Sequence, residues 1–167
     1  VVAPSPVPFK DRDPIPRELS VRELDDIVAA FVAAAHRSLD AGFKVIEIHS
    51  AHGYLLHEFL SPVSNQRGDD YGGSFENRAR LLLRVAENLR AVIPQRLPLL
   101  VRISASDWVQ GGWETNDSVE LARRLKRCGV DLIDVSSGGV IPNAKIPVGK
   151  QYQVPFAREI REHADIP

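Results

Sequence analysis

The chain has 167 residues, 44% of them hydrophobic and 26% charged, which is the composition of an ordinary globular domain with a substantial core. Its 21 Lys+Arg against 22 Asp+Glu leave a net charge of -1, which excludes a broad basic field for nucleic acid or an anionic membrane surface. The single cysteine, Cys128, rules out an internal disulfide or a thiolate metal cluster, and no apolar run approaches the roughly 20 residues needed to cross a bilayer.

Residues 1–19 carry Pro4, Pro6, Pro8, Pro14 and Pro16 among charges and read as an extended loop. Ser20 then opens a helix, with Glu23 three residues on completing a capping box. Leu24, Ile27, Val28, Phe31, Val32 and Ala35 recur at helical spacing, and Gly42 stands where a left-handed terminator is favoured. Val45 to His49 is a short, β-branched, mostly apolar run of the kind found in a buried parallel strand. A long excursion follows through Ser61-Pro62 and Tyr71-Gly72-Gly73.

A second helix is expected from about Ser74, with Leu82, Leu83, Ala86 and Leu89 inward. Arg78, Arg80, Arg84 and Arg90 fall along it and read as a solvated face. Pro98 to Ile103 is the next buried strand. A third helix runs from about Asn116 to Cys128, where the cysteine reads as a small core hydrophobe and Gly129 as the terminator. Val130 to Val135 forms a third strand ending in Ser136-Ser137-Gly138-Gly139, and Val154 to His163 a fourth helix.

Alternating helices and buried strands imply right-handed crossovers and a parallel sheet. Polar residues stand at the carboxyl end of all three strands: His49, then Arg102 and Ser104, then Ser136. An open doubly wound sheet concentrates ligand groups at one switch point. A (β/α)8 barrel brings every strand end to one site, so the α/β class expected is the parallel TIM-barrel type. A whole barrel needs roughly 200 residues or more. Residues 1–167 are therefore expected to form a single partial domain, the central portion of such a barrel. The absence of methionine, even at position 1, and the end at Ile166-Pro167 point the same way.

His49 at a strand end, with His52 and Tyr54 in the turn beyond, can project two imidazoles and a phenol into one cleft. Two imidazole N–H groups donating to one oxygen stabilise an oxyanion or enolate, and a phenol can deliver a proton to the adjacent carbon. A lone His-x-x-His is more often a packed core histidine beside an ordinary aromatic. A zinc site on His49, His52 and a carboxylate would strain tetrahedral geometry on one turn and lacks an obvious third ligand, so no metal is assigned.

The longer run from Gly42-Phe43 through Val45-Ile46-Glu47-Ile48-His49-Ser50-Ala51-His52-Gly53-Tyr54 to Ser61-Pro62, Ser64-Asn65 and Arg67 closely resembles the Old Yellow Enzyme family. So do Asp70-Tyr71-Gly72-Gly73-Ser74, Glu76-Asn77-Arg78, Val101 to Ala105, Gly129 to Gly138, and Gln151-Tyr152-Gln153 before Pro155-Phe156-Ala157. The matches are collinear and cover essentially the whole chain. His52, where the yeast-type branch has asparagine, is similar to the bacterial NADPH dehydrogenase and ene-reductase branch.

The resemblance implies a flavoprotein oxidoreductase in which NAD(P)H reduces a bound FMN, which then gives hydride to the β-carbon of an activated alkene. His49 and His52 match the pair that binds the substrate's carbonyl or nitro oxygen, Tyr54 the proton donor, and Arg102 the cofactor-binding arginine beside the flavin. The implied partners are small α,β-unsaturated carbonyl or nitro compounds, with a homo-oligomer expected when complete, no nucleic acid and no membrane. A cytoplasmic location is the default expectation.

The family's first strands and its phosphate site have no counterpart among these residues, so the chain by itself is expected to bind FMN weakly and to be inactive. Three strands are also expected to leave two open edges and an apolar inner face. A half-barrel acting only as a scaffold or association module is the alternative. Tyr71-Gly72-Gly73 and Arg78 are expected to shape the excursion, Trp108 to pack, His57 and Glu58 to be structural, and His36 and His163 to be exposed. Asp107 is expected near the cleft.

Overall fold

A computed structural model describes residues 1–167. In chain order the elements are β1 (Val2–Ala3), β2 (Arg17–Glu18), α1 (Val21–Asp40), β3 (Ile46–Ser50), α2 (Leu55–Leu60), α3 (Phe75–Val92), β4 (Leu99–Ser104), α4 (Thr115–Arg127), β5 (Leu132–Ser136) and α5 (Val154–Ala164).

The capping box forms as expected. The Ser20 hydroxyl accepts the Glu23 N–H, and the Glu23 carboxylate accepts the Ser20 N–H at 2.8 Å. Arg17 grips the same carboxylate at 2.6 Å, and this pairing with the cap bonds holds it down to about 2. Leu24, Val28 and Ala35 turn inward from α1, and Gly42 adopts φ +88° beyond its end.

The main sheet is three-stranded and parallel, in the order β3-β4-β5. Ile48, Leu99, Val101, Ile103 and Ile133 on alternate positions are buried against the helices. Helix α1 packs on α3, α3 on α4, and α4 on α5, so one helical layer covers one face. Strands in sequential order with helices on a single side form a singly wound arc, the curvature of a barrel rather than of a doubly wound sheet.

The other face is not apolar, which corrects the expectation. Glu47, His49, Arg102 and Asp134 alternate there with Leu100 and Leu132. A strand that lines a functional cleft must put polar groups on the side away from the helices.

Three further readings change. The segment 1–19 is not a plain loop: β1 and β2 pair in parallel, Val2 with Arg17 and Ala3 with Glu18. The Arg67 guanidinium, almost fully buried, donates to the carbonyls of Pro4 (3.0 Å) and Leu19 (2.6 Å) and pins that segment to the excursion.

The arginines of α3 are anchors rather than a solvated face. Arg90 is 8% exposed and donates to the carbonyls of Ile93, Pro94 and Leu97 at 2.9–3.2 Å while pairing with Asp131 at 3.2 Å. Arg78 donates to Leu60 O and Gly73 O, and Arg84 bridges Tyr71 and Asp25. Arg80 alone is exposed by position, yet it too donates to the Asp70 carbonyl.

The excursion also contains α2, unforeseen because six residues are too few to show a period. Asn65 closes the excursion by donating to the carbonyls of Phe59 and Tyr71, both at 2.7 Å. Cys128 is half-buried at the end of α4, where burial pushes its thiol up to about 11.

Candidate active site

The site is built on the carboxyl ends of β3, β4 and β5. Register places His49 beside Arg102 and Arg102 beside Asp134, so three polar side chains from three strands lie in one row. The chain leaves β3 through a tight turn in which His52 (φ +58°) and Gly53 (φ +76°) are both left-handed. A β-carbon on Gly53 would lie 2.3 Å from the Gly139 carbonyl oxygen, so only glycine fits there.

That turn folds back over the strand end and gathers the expected residues. The His49 ring lies 5.3 Å from the His52 ring and 5.0 Å from that of Tyr54, centroid to centroid. His49 and Tyr54 are open to solvent; His52 is half-buried. Arg102 stands in the row next to them, with its Nε 3.4 Å from Asp134 Oδ2. The four residues singled out in the sequence thus share one face.

Two second-line partners of His52 were not singled out for a role. Its backbone N–H donates to Ser104 Oγ at 3.0 Å, and its Nε2 lies 2.7 Å from Ser136 Oγ. Gln153 then donates to both Ser136 Oγ and Ser137 Oγ at 3.2 Å. Ser104 and Ser136 were legible as strand-end polar groups, but Gln153 comes from a loop whose path no local pattern reveals.

Electrostatics favour neutral imidazoles. Desolvation first, then the neighbouring Arg102 charge, holds both His49 and His52 below the usual histidine value. Glu47, one turn of the pleat earlier, is pushed up by its own desolvation and by Asp134, with Arg102 opposing.

The other expectations sort cleanly. His57 is fully buried on α2, as a structural role requires, and His36 and His163 are exposed. Trp108 packs edge-on against Phe156 at 5.4 Å. Asp107 does not border an open cleft; it is wholly buried, because three donors surround its carboxylate: the His57 ring at 2.9 Å, the Ser61 hydroxyl at 2.6 Å and the Trp113 N–H at 2.7 Å. A concavity of about 530 Å³ between Ser106, Trp108 and Glu114 contains none of the site residues.

Residues 3–166 match the family described as NADH:flavin oxidoreductase / NADH oxidase. An NADPH dehydrogenase of Geobacillus sp. (strain WCH70) is 51% identical over 166 residues, covering 99% of this chain and 48% of the relative. The chain therefore spans about half the length of the curated relatives it matches.

Among solved structures, the Old Yellow Enzyme homologue of Zymomonas mobilis superposes with a TM-score of 0.79 at 30% identity, over 99% of this chain and 49% of that one. A 2-naphthoyl-CoA reductase complexed with 2-naphthoyl-CoA gives 0.86 at 28% identity, over 96% and 25%. The arc of three strands is thus part of a TIM barrel of the Old Yellow Enzyme type.

Proposed function

This chain belongs to the NADH:flavin oxidoreductase / NADH oxidase family, and from that premise we propose that it carries the substrate side of an FMN-dependent ene-reductase acting on activated alkenes, enones and nitroalkenes. The observation that carries this reading is the gathering of His52 and Tyr54 about His49, their ring centroids 5.3 and 5.0 Å from its own, at a strand end beside Arg102.

The residues present fit a flavin on one test. Arg102 Nε is shielded from solvent, and its one nearby acceptor, Asp134 Oδ2 at 3.4 Å, makes an ion pair without hydrogen-bond geometry, on the strand face that is open to a ligand. A shielded guanidinium N–H whose carboxylate neighbour does not complete a hydrogen bond still has room for an electron-rich acceptor. Arg102 would hold the FMN ring edge, and a fixed cation there favours its anionic reduced form. FMN, when bound, supplies the hydride relay between NAD(P)H and the alkene.

The chain's own groups do the rest. A neutral imidazole has one N–H to donate, so each ring must present the correct nitrogen. His52 Nε2 is already engaged by Ser136, which leaves Nδ1 to face a substrate oxygen. Ser136 Oγ accepts from Gln153, and with the Ser136 hydroxyl donating to His52 Nε2 the ring carries its proton on Nδ1. His49 supplies the second donor to the same carbonyl or nitro oxygen, drawing charge toward it as the β-carbon accepts hydride. Tyr54 gives its phenolic proton to the α-carbon.

The test is NADPH consumption by the full-length gene product with 2-cyclohexen-1-one or a nitroalkene. Replacing His49 and His52 together by Ala should lower kcat/KM by at least about a hundred-fold, the scale of losing oxyanion donors. Unchanged turnover in that variant, or no alkene-dependent NADPH consumption in the parent, refutes the proposal.

A further inference from the structure

The turn that carries His52 and Tyr54 is strained, and its conformation has to be held from beneath. Two consecutive residues are left-handed, His52 being a non-glycine. What lies beneath is a buried polar network that the proposed chemistry does not use. Gly53 donates its N–H to His57 Nδ1 at 2.9 Å, and His57 Nε2 lies 2.9 Å from Asp107 Oδ1. Asp107 Oδ2 accepts from the Ser61 hydroxyl at 2.6 Å and the Trp113 N–H at 2.7 Å. His57, Ser61 and Asp107 are all fully shielded from water.

The proton positions follow from the donors. A backbone N–H can only donate, so Nδ1 of His57 carries no proton, and the ring proton sits on Nε2. Nε2–H then donates to the Asp107 carboxylate, whose two oxygens accept three times. Each bond in the chain dictates the next, from Trp113 on the β4–α4 loop to the backbone of the turn on β3.

We propose that His57, oriented by Asp107, is a positioning residue: its Nδ1 grips the Gly53 N–H and so holds the 52–54 turn in the conformation that places His52 and Tyr54 beside His49. This rests on the functional reading above only for its effect on turnover; the grip itself is independent of it.

The discriminating variant is Asp107→Asn. The amide oxygen takes the Ser61 and Trp113 donors, so the amide N–H₂ faces His57 Nε2. The ring must then accept at Nε2 and move its proton to Nδ1, where it meets the Gly53 N–H head-on. Two donors at 2.9 Å repel, and the turn releases. His57→Asn is the rescue, since its Oδ1 reaches about where Nδ1 stood and still accepts from Gly53. His57→Phe keeps the ring volume and loses both bonds.

Nitrogen-15 NMR of the chain should show His57 with a bare Nδ1 and a protonated Nε2, a Gly53 amide protected from exchange, and a cross-peak between the His49 and Tyr54 rings. A protonated Nδ1, or a Gly53 amide exchanging like an open loop, overturns the proposal. Asp107→Asn should reverse the tautomer, erase the ring cross-peak, and speed Gly53 exchange at least about ten-fold beyond any change at the core amides of Val101 and Ile103. Equal acceleration at all three amides would mean a purely structural role and refute it.

In the full-length gene product, His57→Phe should lower kcat/KM for 2-cyclohexen-1-one by about a hundred-fold, the cost of roughly 1 Å of misplacement. His57→Asn should stay within about ten-fold of the parent. Equal kinetics for Phe and Asn refute positioning. A parent with no enone turnover refutes the functional reading, and the NMR results then decide the grip separately.

Discussion

Glu58 should make the chain less stable as pH rises through neutrality, and replacing it by Gln should remove that dependence. It follows His57 on α2, and its carboxyl borders crevices lined by Val7, Pro8, Phe9, Val140 and Pro142. No cation pairs with it, and desolvation alone pushes it up from 4.5 to about 7. Between those two values the folded state holds a proton that the unfolded chain has released, so stability falls as pH rises through that window and levels off above about 7. At about 1.4 kcal/mol per pH unit the ceiling is roughly 3 kcal/mol. The crevices are open to water, which screens the charge and reduces the expected loss to about 1–2 kcal/mol.

Glu58→Gln keeps the shape of the protonated acid and cannot ionise. Urea unfolding at intervals from pH 4.5 to 8 should find the two proteins equally stable at the acid end. The variant should be ahead by about 1–2 kcal/mol at pH 8, the loss expected for the ionised parent. A difference that does not vary with pH would refute the reasoning. So would a parent that is the more stable of the two at pH 8, since that would reveal an unrecognised partner for the carboxylate.

Arg90→Ala should cost about 3 kcal/mol or more in urea unfolding, because it strips donors from the carbonyls of Ile93, Pro94 and Leu97 in a shielded corner; a loss below about 0.5 kcal/mol, the scale of an ordinary surface change, would restore the solvated-face reading. Gly53→Ala should be worse than a typical surface change, since it adds roughly 1–2 kcal/mol of left-handed strain to a backbone collision at 2.3 Å. Circular dichroism melts would show it, and a wild-type melting temperature would mean the turn can relax. The 167-residue chain titrated with FMN should show weak binding at most, reduced further in Arg102→Leu. One tightly held FMN per chain would contradict the expectation that the phosphate anchor lies outside these residues.

Much of the fold was legible because it is local. Ser20 with Glu23, the left-handed Gly42 and Gly129, and the β-branched runs at 46–48 and 132–135 act over a few residues, and each appears where the pattern placed it. The cluster of His49, His52 and Tyr54 was readable for the same reason, since one strand end and one turn carry all three.

Contacts that close over long separations were not legible. A run of arginines at helical spacing looks the same whether it faces water or, as with Arg90, the carbonyls of the next turn and Asp131, 41 residues away. Asp107 lies 50 residues from His57 and 46 from Ser61, and nothing near it in the chain says that its charge will be enclosed.

The sequence by itself determined the four long helices, the three strands of the main sheet, their parallel order and the residues of the strand-end cluster, because backbone propensity and side-chain period act between near neighbours. Only the tertiary structure decided that all helices lie on one side of the sheet, that the opposite face is polar, and that a buried His57–Asp107 pair supports the turn. Those outcomes depend on which surfaces meet, and burial of a charge is settled by its partners rather than by its place in the chain.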